Sequence, residues 1–336
     1  MGLPTKVLAS AAVERTVREM SSHYVVKTNT RISQVDKGAW DGLCATRAFC
    51  GTHWMAFLET ILKDYEPIYL QLWQDERLVA GAVCHAQRHF HLSVLLKNPV
   101  VRSLAATGLT WLPPMVCTVP FFLRNGLFAH PNVSEAAWLP LILKEVERIT
   151  HPGWSPFSYL ANLNPVQSLV GRQLGYAVMP VLPDSYLDIV WPDFDAYLCA
   201  FNAHKRKRIN SYIARAQAQG VVIQELSLVS HLTPKLETLI RSVASKHDNA
   251  FLFHSDFFHR AQAHLKPENA CVLVACVGGE PVACASLLRD GHELAAKWSG
   301  MDYGRTVDNF AYHYLLTQVV RKAIDWKVKR LDLGPS

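Results

Sequence analysis

Residues Leu294 to Gly334 constrain this chain more than any other stretch. An apolar run, Leu294-Ala295-Ala296-Lys297-Trp298, gives way to Ser299-Gly300-Met301-Asp302-Tyr303-Gly304-Arg305, which reads as a loop because its two glycines can take positive φ. A helix is expected next, capped by Asp308 or Asn309, since either side chain can accept from an open amide of the first turn. Phe310, Tyr314, Leu315, Leu316, Val319, Val320, Ala323 and Ile324 recur on one side of it, with Gln318, Arg321, Lys322 and Asp325 on the other. Such a helix lies on something, and Lys329-Arg330-Leu331-Asp332-Leu333 alternates polar and apolar as a returning strand before Gly334-Pro335. Strand, loop, helix and strand make a βαβ unit. Its loop amides and helix N-terminus can hold an anionic ligand.

The rest of the chain supplies more than one core. At 336 residues two domains are expected, and 50% hydrophobic with 18% charged residues excludes a disordered chain. The formal charge of +6 is compatible with a phosphate-bearing ligand or RNA without requiring either. The cysteines show no CxxC spacing and read as buried free thiols of a reducing compartment. The first residues carry Glu14, Arg15, Arg18 and Glu19 without an apolar core, and the longest apolar stretch, Val100 to Val119, is broken by Arg102, Gly108, Pro113 and Pro114. No signal peptide or membrane span is expected, and the protein is placed in the cytoplasm.

The pattern is mixed α/β throughout. Residues 1–26 read as a poorly ordered extension, 27–185 as a first domain and 186–336 as a second, divided near Pro183 to Pro192. In the first, a strand candidate around Val35 precedes a helix from His53 to Leu62, and Ile68–Trp73 and Leu78–Val83 form a hairpin across Gln74–Arg77. His85 to Leu96 continues as a strand region, Pro113 to Pro120 as a loop, Ala136 to Ile149 as an amphipathic helix, Phe157–Leu160 as a strand, Val166 to Leu174 as a helix and Tyr186–Val190 as a strand. The second domain repeats the order, with helices Leu232–Ser245 and Asp256–Leu265 and a hairpin turning at Gly278-Gly279-Glu280. Leu78-Val79-Ala80-Gly81-Ala82 and Pro281-Val282-Ala283-Cys284-Ala285 are both small-residue return strands, so the chain reads as a tandem duplication of one α/β unit, with flanking helices on a mixed sheet.

Between the halves lies a basic helix over 201–219, containing Lys205-Arg206-Lys207-Arg208 and ended by Gly220. Helical spacing sets Lys205, Arg208, Tyr212 and Arg215 near one face, with Ile209, Ile213 and Ala216 on another. That face is either a solvated helix side or a contact for phosphate oxygens.

Taken together, Phe201 with Lys205–Ile209, Ala216–Val221, Lys246-His247, Phe257-Phe258, the Gly279 hairpin, Trp298–Asp302, Asn309 with Tyr314-Leu315, and Ala323-Ile324 with Leu331–Gly334 form an order that resembles the Fem-like tandem acyltransferases. These include a subgroup often labelled BioF2-like and belong to the Gcn5-related N-acetyltransferase (GNAT) superfamily. The resemblance implies two tandem GNAT-like domains and transfer of an acyl group to an amine by direct attack, from acyl-CoA as co-substrate. An alternative it implies is aminoacyl transfer from aminoacyl-tRNA, favoured because Gly304–Asp308 stands where the superfamily has its pyrophosphate loop. Relatives also continue past Leu333-Gly334 into a strand carrying a lysine; a catalytically decayed binding module is the reading that difference would favour. The acceptor is expected to be a small-molecule or peptide amine.

The candidate residues follow from that chemistry, which needs an acceptor for the amine proton and donors for a tetrahedral oxyanion. Lys297, alone in an apolar strand, and Tyr312 and His313, early in the last helix, are the catalytic candidates. Gly300, Gly304, Arg305 and Asn309 are expected to bind the donor. Lys205, Arg206, Arg208 and Tyr212 are expected to bind the acceptor in a cleft between the halves. Asp256 reads as a helix N-cap and Trp54 as core. His85, His89 and His91 alternate along a strand without a Cys or carboxylate to complete a tetrahedral set, so no metal is expected, and no Gly-x-Ser-x-Gly elbow occurs.

Overall fold

The structure, a computed structural model, describes residues 23–45, 47–86, 115–120, 124–150, 158–178, 184–227, 233–246, 254, 256–306 and 309–335. Two compact units divide the chain, the first being Met1–Glu59 with Asp64–Leu182 and the second Thr60–Lys63 with Pro183–Ser336.

The first unit opens with β1 (Tyr24–Asn29), a 3-10 turn at Ile32–Gln34, and helices α1 (Lys37–Leu43) and α2 (Thr52–Ile61). Val35, expected in a strand, ends that 3-10 turn, and the strand lies earlier, where Tyr24 to Val26 had been read as extension. Asp36 caps α1 by accepting from the Ala39 amide. Then come β2 (Pro67–Gln74), β3 (Arg77–Ala86), β4 (Met115–Val119), β5 (Arg124–Asn125), β6 (Leu127–Ala129), α3 (Glu135–Thr150), β7 (Ser158–Leu160) and α4 (Pro165–Gln173). β4 corrects the expected Pro113–Pro120 loop: between the flanking prolines, Met115-Val116-Cys117-Thr118-Val119 is an apolar, β-branched run that pairs with β3. The sheet order is β1-β2-β3-β4-β5, with β6 on β3 and β7 parallel to β4. α3 covers one face, burying Trp138, Leu139, Ile142 and Val146 against Leu70, Leu72, Ala82 and Cys84. His89 and His91 lie outside the described residues.

The second unit runs β8 (Asp184–Asp188), α5 (Phe194–Cys199), α6 (Ala203–Ala218), β9 (Val221–Ser227), α7 (Pro234–Lys246), α8 (Phe257–His264), β10 (Ala270–Val277), β11 (Glu280–Asp290), β12 (Glu293–Met301), α9 (Tyr303–Thr306), α10 (Ala311–Asp325) and β13 (Arg330–Pro335). Its sheet order is β8-β13-β12-β11-β10-β9, antiparallel except for the parallel β12–β13 pair that α10 connects. α10 buries Leu315, Val319, Val320, Ala323 and Ile324 on one sheet face, against Leu273, Ala285, Leu287, Leu294 and Leu331, and α6 joins the same core through Ala216, Ile209 and Ile213. Asn202 caps α6 by accepting from the Lys205 amide, and Gly220 follows it at φ 72°. Gly300 is not in a loop: β12 continues through Met301. A Cβ on Gly300 would stand 2.7 Å from the Ile240 amide nitrogen, so glycine is required there for α7 to cross the strand closely.

Among the described residues no helix is long and apolar enough to cross a membrane. Of the eight free cysteines seven are buried and Cys199 is exposed.

Candidate active site

The parallel ladder of β12 and β13 holds for three pairs only, Glu293/Arg330, Leu294/Leu331 and Ala295/Asp332. Both strands run on, β12 towards Met301 and β13 into pairing with β8, so beyond Ala295 they part. Two charged side chains lie in the opening. Lys297 and Asp332 are only 9% and 1% exposed, and Lys297 Nζ stands 3.2 Å from Asp332 Oδ2. The other carboxylate oxygen accepts from the Gly334 amide at 2.7 Å, made possible by the φ of 83° at Gly334. A buried ammonium without a counter-charge would be very costly, so Asp332 is what makes Lys297 tolerable there. Asp332 thus meets Lys297 with one oxygen and the Gly334 amide with the other, which fixes the ammonium in place.

Next to Lys297 the strand carries a bulge. Ser286 pairs with Lys297 and Ala285 with Ser299, so Trp298 is the extra residue, at φ 50°. A bulge takes a peptide unit out of the ladder and re-aims it, as often happens beside reactive centres. The Ser286 hydroxyl lies 3.5 Å from the Trp298 carbonyl oxygen, and the Trp298 indole packs edge-on to Phe257 at 4.9 Å. An ammonium and a displaced peptide unit at the parting of two strands are groups able to stabilise an oxygen that gains negative charge.

The other sequence candidates gather elsewhere. Strand alternation sends Leu294, Ala296 and Leu331 into the core beneath α10, and Lys297 and Asp332 to the opposite face. Tyr312 and His313, on the first turn of α10, are therefore not brought onto Lys297. His313 is exposed and its ring lies 4.7 Å from Tyr212 of α6. Tyr312 is half-buried, and burial, with Tyr303 adding to it, pushes its phenol up, so it is a proton donor and not a phenolate. Tyr212 stacks on Phe310 at 5.5 Å and 19°, and Arg215 lies over the same Phe310 ring at 5.4 Å. Phe310 was not among the sequence candidates; its αL conformation (φ 56°), rare for an aromatic residue, holds it at the N-terminus of α10.

Along α6, Lys205 sits over the Phe201 ring at 4.3 Å, Arg206 donates to the Phe201 carbonyl at 3.4 Å, and Arg208 is exposed. No acidic residue falls between Ala203 and Ala218. Of the donor-loop candidates, Gly300 lies beneath α7, whereas Gly304 and Arg305 are exposed on α9, the Gly304 amide donating to Asp302 Oδ1 at 3.1 Å. Asn309 joins α9 to α10: its amide nitrogen donates to the Arg305 carbonyl and its oxygen accepts from the Ala311 amide at 3.0 Å. Asp308, the other capping candidate, lies outside the described residues. No group of three or more His, Cys, Asp or Glu side chains converges among the described residues.

Asp332 is the residue that the sequence reading passed over, taken as the polar member of an alternating strand. A carboxylate flanked by two leucines and followed two positions later by glycine was the available signal, but a wet strand face has the same pattern.

Comparison with known proteins bears on this geometry. A family described as FemAB-like, peptidoglycan biosynthesis/recognition, matches residues 31–335. The chain belongs to the FemAB-like family. FemX is similar in structure over 92% of this chain and 89% of its own, at 11% identity and a TM-score of 0.54. The C-terminal domain of a putative lysylphosphatidylglycerol synthetase from Agrobacterium fabrum matches over 91% and 79%, at 11% identity and 0.54. L-PGS from Bacillus licheniformis matches over 89% and 76%, at 10% identity and 0.50. Among proteins of curated function none matches by sequence. These likenesses agree in fold with this FemAB-like chain, whose two compact units are each mixed α/β and built on a sheet that contains one parallel strand pair among the described residues.

Proposed function

We propose that this FemAB-like protein transfers an acyl group from an acyl-CoA-type donor to a primary amine, by direct attack of the amine nitrogen on the acyl carbonyl carbon. That it is a transferase of acyl or aminoacyl groups follows from its family. The observation that carries the mechanism is the buried Lys297–Asp332 pair where β12 and β13 part. In this reading the acyl carbonyl enters the opening and the Lys297 ammonium, with a peptide unit of the Trp298 bulge, stabilises the tetrahedral oxyanion. The new bond is the amide; the bond to the leaving sulfur breaks, and the proton lost by the amine is returned to that leaving group.

A second donor is favoured by a specific observation. α6 combines five basic residues and no acidic one with the stacked Tyr212 and Phe310 rings, the chemistry that holds a phosphate backbone and an unstacked base. An aminoacyl-tRNA meets that description, and its leaving atom is a ribose oxygen. FemX and the lysylphosphatidylglycerol synthetase share the fold, and the name of the latter speaks of a lysyl group joined to a lipid.

Calorimetry with acetyl-CoA and, separately, with charged tRNA distinguishes the two. One of them is expected to bind, and Lys297→Met is expected to lower transfer from it by about a hundredfold or more while leaving its binding intact. If neither binds, the chain is a binding module and both donor readings fail.

A further inference from the structure

The first unit contains a cavity of about 550 Å³ that the transferase chemistry does not use. It lies where β2 begins and β3 and α3 end, with Pro67, Ile68, Ala86, Met115 and Ile149 as apolar walls. That size suits a drug-sized molecule, and sites of this kind combine apolar walls with a few polar groups that fix orientation.

The polar groups decide what it would take. Among the described residues four charged side chains line the cavity, Arg31, Arg148, Glu59 and Glu66, and three of them are engaged. Arg148 is held by Glu145 at 2.8 and 3.0 Å through its Nε. Glu59 Oε1 accepts from the Ile32 amide at 2.7 Å and from the Tyr69 hydroxyl at 2.8 Å. Glu66 also has a partner. The Arg31 guanidinium, exposed at the rim, pairs with none of the described residues. The remaining polar liners among the described residues are Thr30 and Tyr65, and the Tyr65 hydroxyl is buried and has no hydrogen-bond partner. Its ring meets that of His85 at 5.1 Å, and His85 Nδ1 is likewise buried and unpartnered. Burial, with Glu59 adding to it, pushes the Tyr65 phenol up, so it offers a proton and does not take one. A buried polar atom left unsatisfied in a native fold calls for an explanation, and an unbound ligand is one.

Two donors without a partner among the described residues thus border the cavity, the Arg31 guanidinium and the Tyr65 phenol, whose hydroxyl is closed to water, and apolar walls lie beside them. We propose that this cavity binds a monocarboxylate with an apolar body, such as a medium-chain alkanoate, its carboxylate meeting Arg31 and the Tyr65 hydroxyl and its chain lying against Ile68, Met115 and Ile149. The proposal stands apart from the donor question, since none of these residues belongs to the second unit.

Titration of the full-length protein with octanoate tests it, with 1-octanol as the uncharged control. Octanoate is expected to bind at one saturable site, at least tenfold more tightly than octanol. Arg31→Ala is expected to remove that preference, and Ile68→Trp to abolish binding by filling the cavity. Tyr65→Phe gives a signature that a purely structural tyrosine would not: octanoate affinity falls several-fold while the melting temperature of the ligand-free protein rises, because an unsatisfied hydroxyl has been removed. Lys297→Met is expected to leave octanoate binding unchanged, so failure here and failure of the transferase reading are separate results. The proposal is overturned if octanoate does not bind, if octanol binds equally well, or if Tyr65→Phe lowers the melting temperature without changing affinity. Should Ile68→Trp not fold, Ala86→Leu is the replacement, and unchanged binding in that variant counts equally against the site.

Discussion

Among the described residues each unit has one parallel strand pair, three residue pairs long, and the two differ in what the strands carry there. In the first unit the pairing runs Met115/Ser158, Val116/Tyr159, Cys117/Leu160; in the second it runs Glu293/Arg330, Leu294/Leu331, Ala295/Asp332. Cys117 and Leu160 pack into the apolar core beneath α3, whereas Asp332 faces away from the core beneath α10 and meets Lys297 instead. Past its ladder β4 runs on to Val119, 1% exposed, and β12 to Lys297, 9% exposed, so one strand end is closed by an apolar side chain and the other by an ion pair. Replacing a buried ion pair with apolar residues of similar size is commonly neutral or stabilising, so stability does not explain why the second unit keeps its pair. The proposed function would explain it, with the chemistry then in the second unit alone.

The sharpest way to break this comparison is to write the first unit's residues into the second. Asp332→Leu alone strands the Lys297 ammonium and is expected to cost about 3–5 kcal/mol in urea unfolding. The double change Lys297→Val with Asp332→Leu should recover most of that, yet leave transfer at least about a hundredfold slower. A double variant as unstable as the single one would show that the pair holds the fold and would remove the argument from the apolar strand end of the first unit.

Acid separates the units by a different group. Burial alone holds His85 of the first unit at a pKa of about 4, against 6.5 when exposed. Above about pH 6.5 the ring is neutral folded or unfolded, and no stability depends on it. As pH falls from 6.5 the unfolded chain takes a proton that the folded unit refuses, and about 3 kcal/mol is lost by pH 4, after which the loss levels off. Urea midpoints measured from pH 7 to pH 4 should show this fall in the parent protein and a much smaller one in His85→Leu. An identical slope in the variant would assign the acid sensitivity to other groups.

Glycine packing is shared by the units and should respond alike in both. A Cβ at Gly126 would lie 2.3 Å from the Val83 carbonyl oxygen, much as one at Gly300 would strike α7. Alanine at either site is expected to cost about 1–3 kcal/mol. Gly42, in α1, has nothing within 4 Å of the added atom, and alanine there should gain up to about 1 kcal/mol by restricting the unfolded chain. Effects of a comparable size belong to α6, where Tyr212→Ala should weaken binding of single-stranded RNA by about 1–2 kcal/mol, and Arg208→Ala should lower the slope of affinity against salt by about one. Unchanged RNA binding in both would return that helix face to solvent.

How much of this was legible in the sequence depended on whether a residue type has one use or several. The hairpins β2–β3 and β10–β11, α10 and the Gly220 helix stop were readable because alternation, amphipathic spacing and a terminal glycine rarely mean anything else. Gly300 was misread as a loop residue because a glycine needed for helix–strand contact is identical, in sequence, to one needed for a turn. β4 was hidden by prolines that flank the strand without entering it. Lys297 stood out as a lone charge in an apolar run. Its partner Asp332 did not, since the pairing spans 35 residues and depends on where two strands part, which no local pattern records. The Tyr212–Phe310 stack likewise joins helices nearly a hundred positions apart.

Asn309 has a consequence for the chemical ageing of the protein. Its side chain uses both ends at once, the nitrogen towards the Arg305 carbonyl and the oxygen towards the Ala311 amide. Deamidation would keep the acceptor and replace the donor with a second oxygen facing a carbonyl, turning the link between α9 and α10 from attraction to repulsion at one end. A stored sample would thus loosen at the start of α10, beside Phe310, through the loss of a single nitrogen.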